Sequence, residues 1–300
     1  MAYDQFGLAL RVAASFLFTV MVVCVKLTTD DIPLGQIIFW RSAVALLPLL
    51  VYLHLTGDLP SGLLTKRPRS HLLRCLFGLA AMTTSFASLK YLPVADSTVI
   101  GYLTPILMLI LGGVFLGEAI TRTRVLAVSF GFLGVLVMTI PSMDGARPDG
   151  YLIGVGLGLI TAVITAVAKV QIRDLTKTEH PGAIAFYFAL VCAIGGLATL
   201  PFGWASPNLT STLLLIGAGL SGGLAHICMT LGLKHAETAK LAGIEYLSLV
   251  FAVGADLLVF NIWPGLNFLP ATLFVLIAAY LVSFRDGPKR QKQPTAKSKV

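Results

Sequence analysis

The sequence has few charged residues for its length. Asp, Glu, Lys and Arg make up only 12% of its 300 residues, apolar side chains make up 56%, and the mean hydropathy is +0.87. Soluble globular domains carry about twice that share of charged residues. The scarcity of charge therefore excludes a soluble globular fold and predicts an integral membrane protein.

Cysteine is also scarce, and the common catalytic motifs are missing. The four cysteines lie inside apolar segments without CxxC spacing, so neither a disulfide nor a metal site is predicted. The sequence contains no GxxxxGK[ST], HExxH or GxSxG motif, which leaves nucleotide hydrolysis, metalloprotease and serine hydrolase activity unsupported. It also lacks the acidic ring or carbonyl filter that favours an ion channel. No cofactor is expected.

Apolar segments long enough to cross a bilayer fill most of the chain. A helical span needs about 20 mostly apolar residues. Ten segments qualify: residues 6–27, 34–55, 70–89, 95–117, 123–141, 151–170, 182–203, 210–232, 238–260 and 266–284. The first lacks the basic start and the cleavage site of a signal peptide, so we expect it to be retained. The sequence therefore predicts an all-α integral membrane fold with ten transmembrane helices.

The distribution of Lys and Arg predicts how the chain is oriented. Most of the 22 lie in the loops of one side and in the tail, whereas Lys26, Lys90 and Arg147 lie on the other side. Cytoplasmic loops carry the excess of positive charge, so both termini are predicted to be cytoplasmic. The net charge of +8 is then an orientation signal, and no nucleic-acid partner is expected.

The two halves of the chain resemble each other. Residues 94–117 align with residues 238–261, placing Ala95 on Ala239, Tyr102 on Tyr246, Leu103 on Leu247 and Thr104 on Ser248. Because each half holds an odd number of spans, the second half must cross the membrane in the opposite sense, as in many secondary transporters. We predict inverted five-helix repeats over 1–141 and 151–284, a connecting loop over 142–150 and a basic, disordered cytoplasmic tail over 285–300.

Polar groups within the spans predict a central cavity. Hydroxyl, aromatic and small residues recur along single helix faces in spans one, three, four, six, eight and nine. A proline within a span frees a carbonyl, and a carboxylate within a span usually faces the bundle interior. The predicted cavity residues are Met82, Phe86, Thr98, Tyr102, Pro105, Thr161, Thr165, His226, Glu245 and Tyr246. Among them, Glu245 is the strongest candidate for a titratable group.

Charged residues nearer the span ends are candidates for a gate or a mouth, namely Lys26, Asp96, Lys169 and Asp256. Asp96 is most simply a helix cap that satisfies free N–H groups. For Asp256, a position at the membrane interface is an equally good interpretation.

Two further polar residues leave alternatives open. His226 is either satisfied by a neighbouring carbonyl or contacts a ligand. Arg41 is more simply interpreted as a side chain that snorkels to the interface, or that pairs with Asp30 or Asp31, than as part of a site.

The whole chain resembles the EamA type of the drug/metabolite transporter superfamily. The resemblance covers residues 6–284 and rests on four segments: Phe39-Trp40-Arg41, residues 87–93 (ASLKYLP), Leu103-Thr104-Pro105 and Leu116-Gly117-Glu118. The second half departs from the pattern, because Leu249 stands opposite Pro105, and Asn261-Ile262 stands opposite Gly117-Glu118. Strict symmetry of the two gates is therefore not expected.

The resemblance implies a secondary transporter in the cell membrane, most simply the bacterial inner membrane. It would export amino acids by alternating access through the cavity between the repeats. Drugs or nucleotide-linked metabolites are the alternative substrates. A membrane-embedded enzyme would need a catalytic constellation from His226, Glu245 and Tyr246, so we do not expect an enzyme. The expected partners are a small-molecule substrate and the lipid bilayer, and the oligomeric state stays open, a monomer being the simplest case.

Overall fold

The computed structural model describes residues 2–116, 122–139, 149–235 and 247–281. In these ranges the chain forms α-helices and short connections, and no strand occurs among them. The helices are α1 (Ala2–Lys26), α2 (Leu34–Leu55), α3 (Pro68–Leu89), α4 (Val94–Gly101), α5 (Leu103–Leu116), α6 (Arg122–Thr139), α7 (Tyr151–Leu175), α8 (Pro181–Leu197), α9 (Leu209–His235), α10 (Leu247–Leu258) and α11 (Phe268–Tyr280).

Within the described ranges, 6 segments are long and apolar enough to cross a membrane. They are Gln5–Lys26, Leu34–Leu55, Pro68–Leu89, Tyr151–Ile172, Pro181–Phe202 and Leu209–Gly232. Shorter apolar helical segments are Val94–Met108, Val128–Val137, Leu247–Leu258 and Phe268–Ala278. The all-α class is confirmed, while the ten spans and the inverted repeats stay predictions.

Large apolar side chains cover the outside of the helix bundle. Phe16, Leu47, Leu136, Leu213 and Leu273 are all exposed, although each belongs to a mainly apolar helix. A helix that is apolar all round is suited to the interior of a large protein or to a membrane. The outer face of the bundle therefore matches hydrocarbon better than water.

The fourth predicted span consists of two helices. Helix α4 ends at Gly101 and α5 begins at Leu103, with Tyr102 forming a turn between them. Pro105 has no backbone N–H, so the Gly101 carbonyl loses the donor that a continuous helix would supply four residues later. The break therefore follows from the proline that the sequence places in the middle of this span.

Helices from the two ends of the chain are interleaved. Helices α1–α6 form the N-terminal group and α7–α11 the C-terminal group, and α1 packs on α9, α3 on α7, α2 on α8 and α9, and α6 on α11. One hydrophobic core contains Tyr102 and Ile106, together with side chains of α7, α10 and α11. A second contains Met82 and Phe86, together with side chains of α1, α2, α8 and α9.

Glycine allows α2 and α8 to approach closely. A Cβ atom added at Gly196 would lie 2.6 Å from the Phe39 nitrogen and 2.7 Å from the Gly35 oxygen, both of which are backbone atoms. Because backbone cannot move aside as a flexible side chain can, this contact requires a residue without a side chain. Small residues at helix interfaces in membranes serve this purpose.

Gly196→Ala should therefore destabilise the protein. Overpacking of this kind costs about 1–3 kcal/mol, so we expect a lower melting temperature in a fixed detergent. Gly156→Ala is the matched control, since Gly156 lies in α7 with no atom within 4 Å of an added Cβ. Equal melting temperatures for the two variants would contradict the close contact.

Candidate functional site

One end of the bundle, which we call the Lys26 end, holds the last turn of α1, the last turn of α3, the first turn of α4 and the last turn of α10. Asp256 of α10 is only 2% exposed there. Its carboxylate accepts hydrogen bonds from the backbone N–H of Val94 at 2.9 Å and of Ala95 at 2.7 Å. The first N–H groups of a helix have no intrahelical acceptor, and a negative charge is stabilised beside them. Asp256 is therefore the cap of α4, supplied by another helix.

Lys26 satisfies backbone carbonyl groups at the same end. Its Nζ donates to the Leu89 carbonyl at 2.8 Å and to the Leu92 carbonyl. The ammonium also lies 5.4 Å from the centroid of the Phe260 ring, which is within cation–π range. Lys26 thus joins the end of α3 to the segment that follows α10.

Helix α7 is held to the N-terminal group by hydroxyl groups. The Tyr151 hydroxyl donates to the Asp96 carboxylate at 2.7 Å. Further along α7, the Thr161 hydroxyl donates to that of Thr84 in α3, also at 2.7 Å. These two bonds, with the Asp256 cap, connect the N- and C-terminal groups.

The break between α4 and α5 faces α10. The Tyr102 hydroxyl and the Ser248 hydroxyl are 2.7 Å apart and share a hydrogen bond. Thr98, one turn earlier, donates within its own helix to the Val94 carbonyl at 2.8 Å. Tyr102 therefore hydrogen-bonds to the C-terminal group, whereas Thr98 donates its hydrogen bond within α4.

A second polar cluster lies inside the second core. Arg41 of α2 is 4% exposed, and its Nη2 lies 3.4 Å from Nε2 of His226 in α9. Its Nε donates to the Met21 sulfur at 3.4 Å. The His226 and Phe18 rings pack edge to face, with their centroids 5.1 Å apart. His226 is thus in contact with a cation and an aromatic ring.

At the opposite end of the bundle, Glu179 links the start of α3 to the α7–α8 connection. Its carboxylate accepts from the backbone N–H of Lys66 and lies 3.2 Å from Nε2 of His71. Burial alone would raise the pKa of Glu179, but hydrogen bonds from Thr65, His71 and Lys66 outweigh burial and hold the pKa below its usual range. Glu179 is therefore ionised at neutral pH.

Two of the cavities among the described residues border α3. The larger, about 400 Å³, is lined at the Lys26 end by the α1–α2 connection and by the end of α3, including Phe86, Lys90 and Tyr91. The smaller, about 270 Å³, lies between α2, α3 and α8. Phe86 is the predicted cavity residue that lines the larger one. Over the described ranges, no cluster of three or more His, Cys, Asp or Glu residues could hold a metal ion.

Comparison with known families assigns the chain to one of them. The EamA-like transporter family matches residues 5–140 and again residues 152–284. The chain belongs to the EamA-like transporter family. It is therefore a multi-pass membrane transporter, in agreement with the resemblance noted in the sequence and with the expectation that it is not an enzyme.

Several relatives of this EamA-like transporter have been named. The pseudopaline exporter CntI of Pseudomonas aeruginosa is 28% identical over 281 residues, covering 92% of this chain and 95% of the relative. The S-adenosylmethionine uptake transporter of Rickettsia conorii is 29% identical over 245 residues, covering 79% and 80%. A crystal structure with a TM-score of 0.66 and 18% identity covers 94% of this chain and 98% of its own, which shows likeness of fold alone.

Three of the predicted cavity residues of this EamA-like transporter belong to the two cores. Tyr102 belongs to the first core, whereas Met82 and Phe86 belong to the second. Val22 of α1 packs against both cores, so α1 lies between them. The other predicted residues are placed as follows: Pro105 and Thr165 are half-buried, Lys169 is exposed, and Glu245 and Tyr246 lie outside the described residues.

The structure differs from two of the sequence-based interpretations. The cap of α4 comes from Asp256, while Asp96 accepts from Tyr151. Arg41 does not snorkel to the interface, because its side chain is buried beside His226. In both cases the deciding neighbour lies on a helix distant in sequence, which helical periodicity alone does not locate.

Three contributors to these contacts were absent from the predicted site: Thr84, Tyr151 and Ser248. Arg74 of α3, which is buried, was absent from it as well. Ser248 had a usable signal, because it aligns with Thr104 in the repeated segment. Arg74 had none, since it follows a basic loop and resembles an ordinary interfacial cation.

Asp256→Ala should destabilise the protein through the α4 cap. The change leaves two buried N–H groups without these acceptors, and each unsatisfied buried group costs about 1–3 kcal/mol. We expect a clearly lower melting temperature in detergent, with Asp256→Asn intermediate because one oxygen remains. Asp31→Ala, an exposed carboxylate at the same end, is the control. Equal melting temperatures for Asp256→Ala and Asp31→Ala would show that the cap has no stabilising role.

Proposed function

We propose that this transporter exports a small metabolite, most simply an amino acid, by alternating access between its N- and C-terminal groups of helices. The observation that carries the proposal is the closure of the Lys26 end. There α4 is capped by Asp256 and Asp96 accepts from Tyr151, while deeper in the bundle Thr84 accepts from Thr161. Each of these bonds joins the two groups, and water can replace each partner when the groups separate.

The charge pattern supports an outward position for the Lys26 end. Positive residues concentrate in the loops at the other end of the predicted spans, where residues 57–70 include Lys66, Arg67 and Arg69. Since cytoplasmic loops carry this excess, the Lys26 end would face the outside. The structure would then be closed toward the outside, which is one of the two states that alternating access requires.

The repeat pattern supports inverted halves. The family matches the chain twice, over ranges that nearly coincide with the predicted repeats. The bond between Tyr102 and Ser248 joins segments that correspond in the two halves. Inverted repeats bring corresponding helices together across a pseudo-two-fold axis, and substrate sites lie near that interface.

The proposed substrate site lies around α1, between the two cores. Tyr102 and Thr161 would offer hydroxyl groups, Met82 and Phe86 an apolar wall, and His226 a polar contact. Glu245 and Tyr246 keep the roles expected from the sequence. Glu245 is the proposed titratable group for coupling to protons, because a carboxylate within a span often lies on a proton or substrate path.

The relatives support a small-metabolite substrate and differ in direction. One is named for the export of pseudopaline and another for the uptake of S-adenosylmethionine. Export is favoured here because the named exporter covers more of this chain. Drugs or nucleotide-linked metabolites remain the alternative substrates.

Proteoliposomes loaded with a mixture of the standard amino acids should release at least one of them faster than protein-free liposomes do. Mass spectrometry identifies the released compound, with and without a pH gradient. Glu245→Gln should remove the dependence on the gradient while the protein still folds. No release of any amino acid, together with release from proteoliposomes loaded separately with nucleotides or drugs, would overturn the amino acid assignment. An unchanged Glu245→Gln profile would overturn the role of Glu245.

A disulfide between α3 and α7, close to the Lys26 end, should stop transport. Thr84→Cys and Thr161→Cys, introduced into a chain whose native cysteines are replaced by alanine, place two thiols where hydroxyl groups now hydrogen-bond. Oxidation should reduce flux at least tenfold, because the N- and C-terminal groups can no longer separate, and a reductant should restore it. Each single-cysteine variant is the control, and full flux in the oxidised double variant would contradict alternating access at this end.

A further inference from the structure

Two buried arginines take no part in the contacts at the Lys26 end. Arg41 of α2 is 4% exposed and Arg74 of α3 is 7% exposed. Arginine keeps its charge at every pH that a protein normally meets. Burying a charge is strongly unfavourable unless the charge is paired and its donors are hydrogen-bonded. Each of these side chains therefore requires partners.

The partners that the structure gives to Arg41 are weak. A guanidinium has five N–H donors, and thioether sulfur is a poor acceptor. Arg41 donates to the Met21 sulfur and lies 3.4 Å from one nitrogen of His226. A neutral imidazole offers a single acceptor nitrogen and no negative charge. The positive charge of Arg41 is therefore not neutralised by these contacts.

Arg74 also has weak partners, one of which is the side chain of the neighbouring Cys75. Its guanidinium carbon lies 4.1 Å from the centroid of the Phe188 ring, a cation–π contact that offsets part of the cost of burial. The ring supplies no acceptor in the plane of the guanidinium, however. Both Nε and Nη1 of Arg74 are buried without a hydrogen-bond partner.

The two cations share one neighbourhood. Both contact the second core: Arg41 through Met21, which belongs to it, and Arg74 through Phe188, which packs against it. Of the carboxylates in the described ranges, none forms an ion pair with Arg41 or Arg74. The described part of the chain thus holds two positive charges and several free donors without the anion that would complement them.

We propose that Arg41 and Arg74 bind a carboxylate of the transported metabolite, at the junction of α2, α3, α8 and α9. The planar fork of a guanidinium matches the two oxygens of a carboxylate, and such charge-assisted pairs are strong. The inference rests on the proposed transport function, because substrate would reach the pair when the helix groups move apart. It adds the substrate class, a metabolite with a free carboxylate.

Binding is tested by melting temperature on the full-length protein in lipid nanodiscs. The probes are a mixture of the standard amino acids, a matched mixture of amino acid amides that lack the carboxylate, and inorganic phosphate. A ligand that binds only the folded state raises the melting temperature as its concentration increases. We expect the amino acids to raise it and the amides and phosphate to leave it unchanged.

Arg41→Gln and Arg74→Gln should each raise at least tenfold the amino acid concentration needed for the same shift. Arg69→Gln, an exposed arginine in the first turn of α3, is the matched control and should behave like the wild type. Equal shifts with acids and amides, a shift with phosphate alone, or no shift with any probe would each overturn the proposal.

A second measurement tests whether the two arginines are already paired with a carboxylate of the protein. Glu245 is the rival anion, since the sequence places this carboxylate within a span. If the arginines await a ligand, Arg41→Met and Arg74→Met should melt no lower than the wild type without ligand. If either variant melts lower, and its effect is not additive with that of Glu245→Gln, the charge is paired within the protein and the proposal fails.

Flux measured after the same protein is reconstituted into proteoliposomes separates this proposal from the transport function. If the wild type moves amino acids and their amides at equal rates, transport stands and the carboxylate site falls. If amino acids bind with dependence on the arginines but do not move, the site stands and amino acid transport falls.

Discussion

Backbone N–H and C=O groups find no water in the interior of a bilayer, and every one of them has to be satisfied within the protein. The interrupted fourth span makes this constraint acute, because α4 begins and ends within a mainly apolar bundle. Asp256 satisfies the N–H groups at its start, and Lys26 satisfies the carbonyls of Leu89 and Leu92 just before it. The two charged side chains are used to complete backbone bonding.

This use of charge links the two groups of helices. The acceptor for α4 comes from α10, so the N-terminal group is complete at this point only when the C-terminal group is in place. Tyr151 and Thr161 add bonds of the same kind from α7. Helix α1 lies between the two cores and contributes Val22 to both.

Composition was sufficient to predict the class of fold. The scarcity of charge and the apolar segments gave an all-α membrane protein, and Pro105 predicted the break that the structure has next to Tyr102. Lys26, Asp96 and Asp256 were recognised as polar groups near the ends of spans. Their partners were not, because the cap of α4 depends on which helix packs beside it, and periodicity reports the face of one helix only.

The burial of Arg41 and Arg74 also could not be predicted from helical periodicity. Arg41 and Arg74 each lie about two turns from the start of a helix, where a long cationic side chain usually reaches the membrane surface. Their burial depends on α8 and α9, which supply Phe188 and His226. Arg69, only a turn away from Arg74, is exposed. Local sequence does not distinguish these two arginines, whereas tertiary packing does.

Under the alternating access proposed above, the cap that α10 supplies to α4 also constrains the medium into which the Lys26 end would open. When Asp256 withdraws from Val94 and Ala95, two N–H groups and a carboxylate lose their partners at once, and hydrocarbon offers none. Only water can take both roles. Separation of the helices and hydration of the α4 terminus are therefore a single event, and the protein can part here toward the aqueous phase but not sideways into lipid.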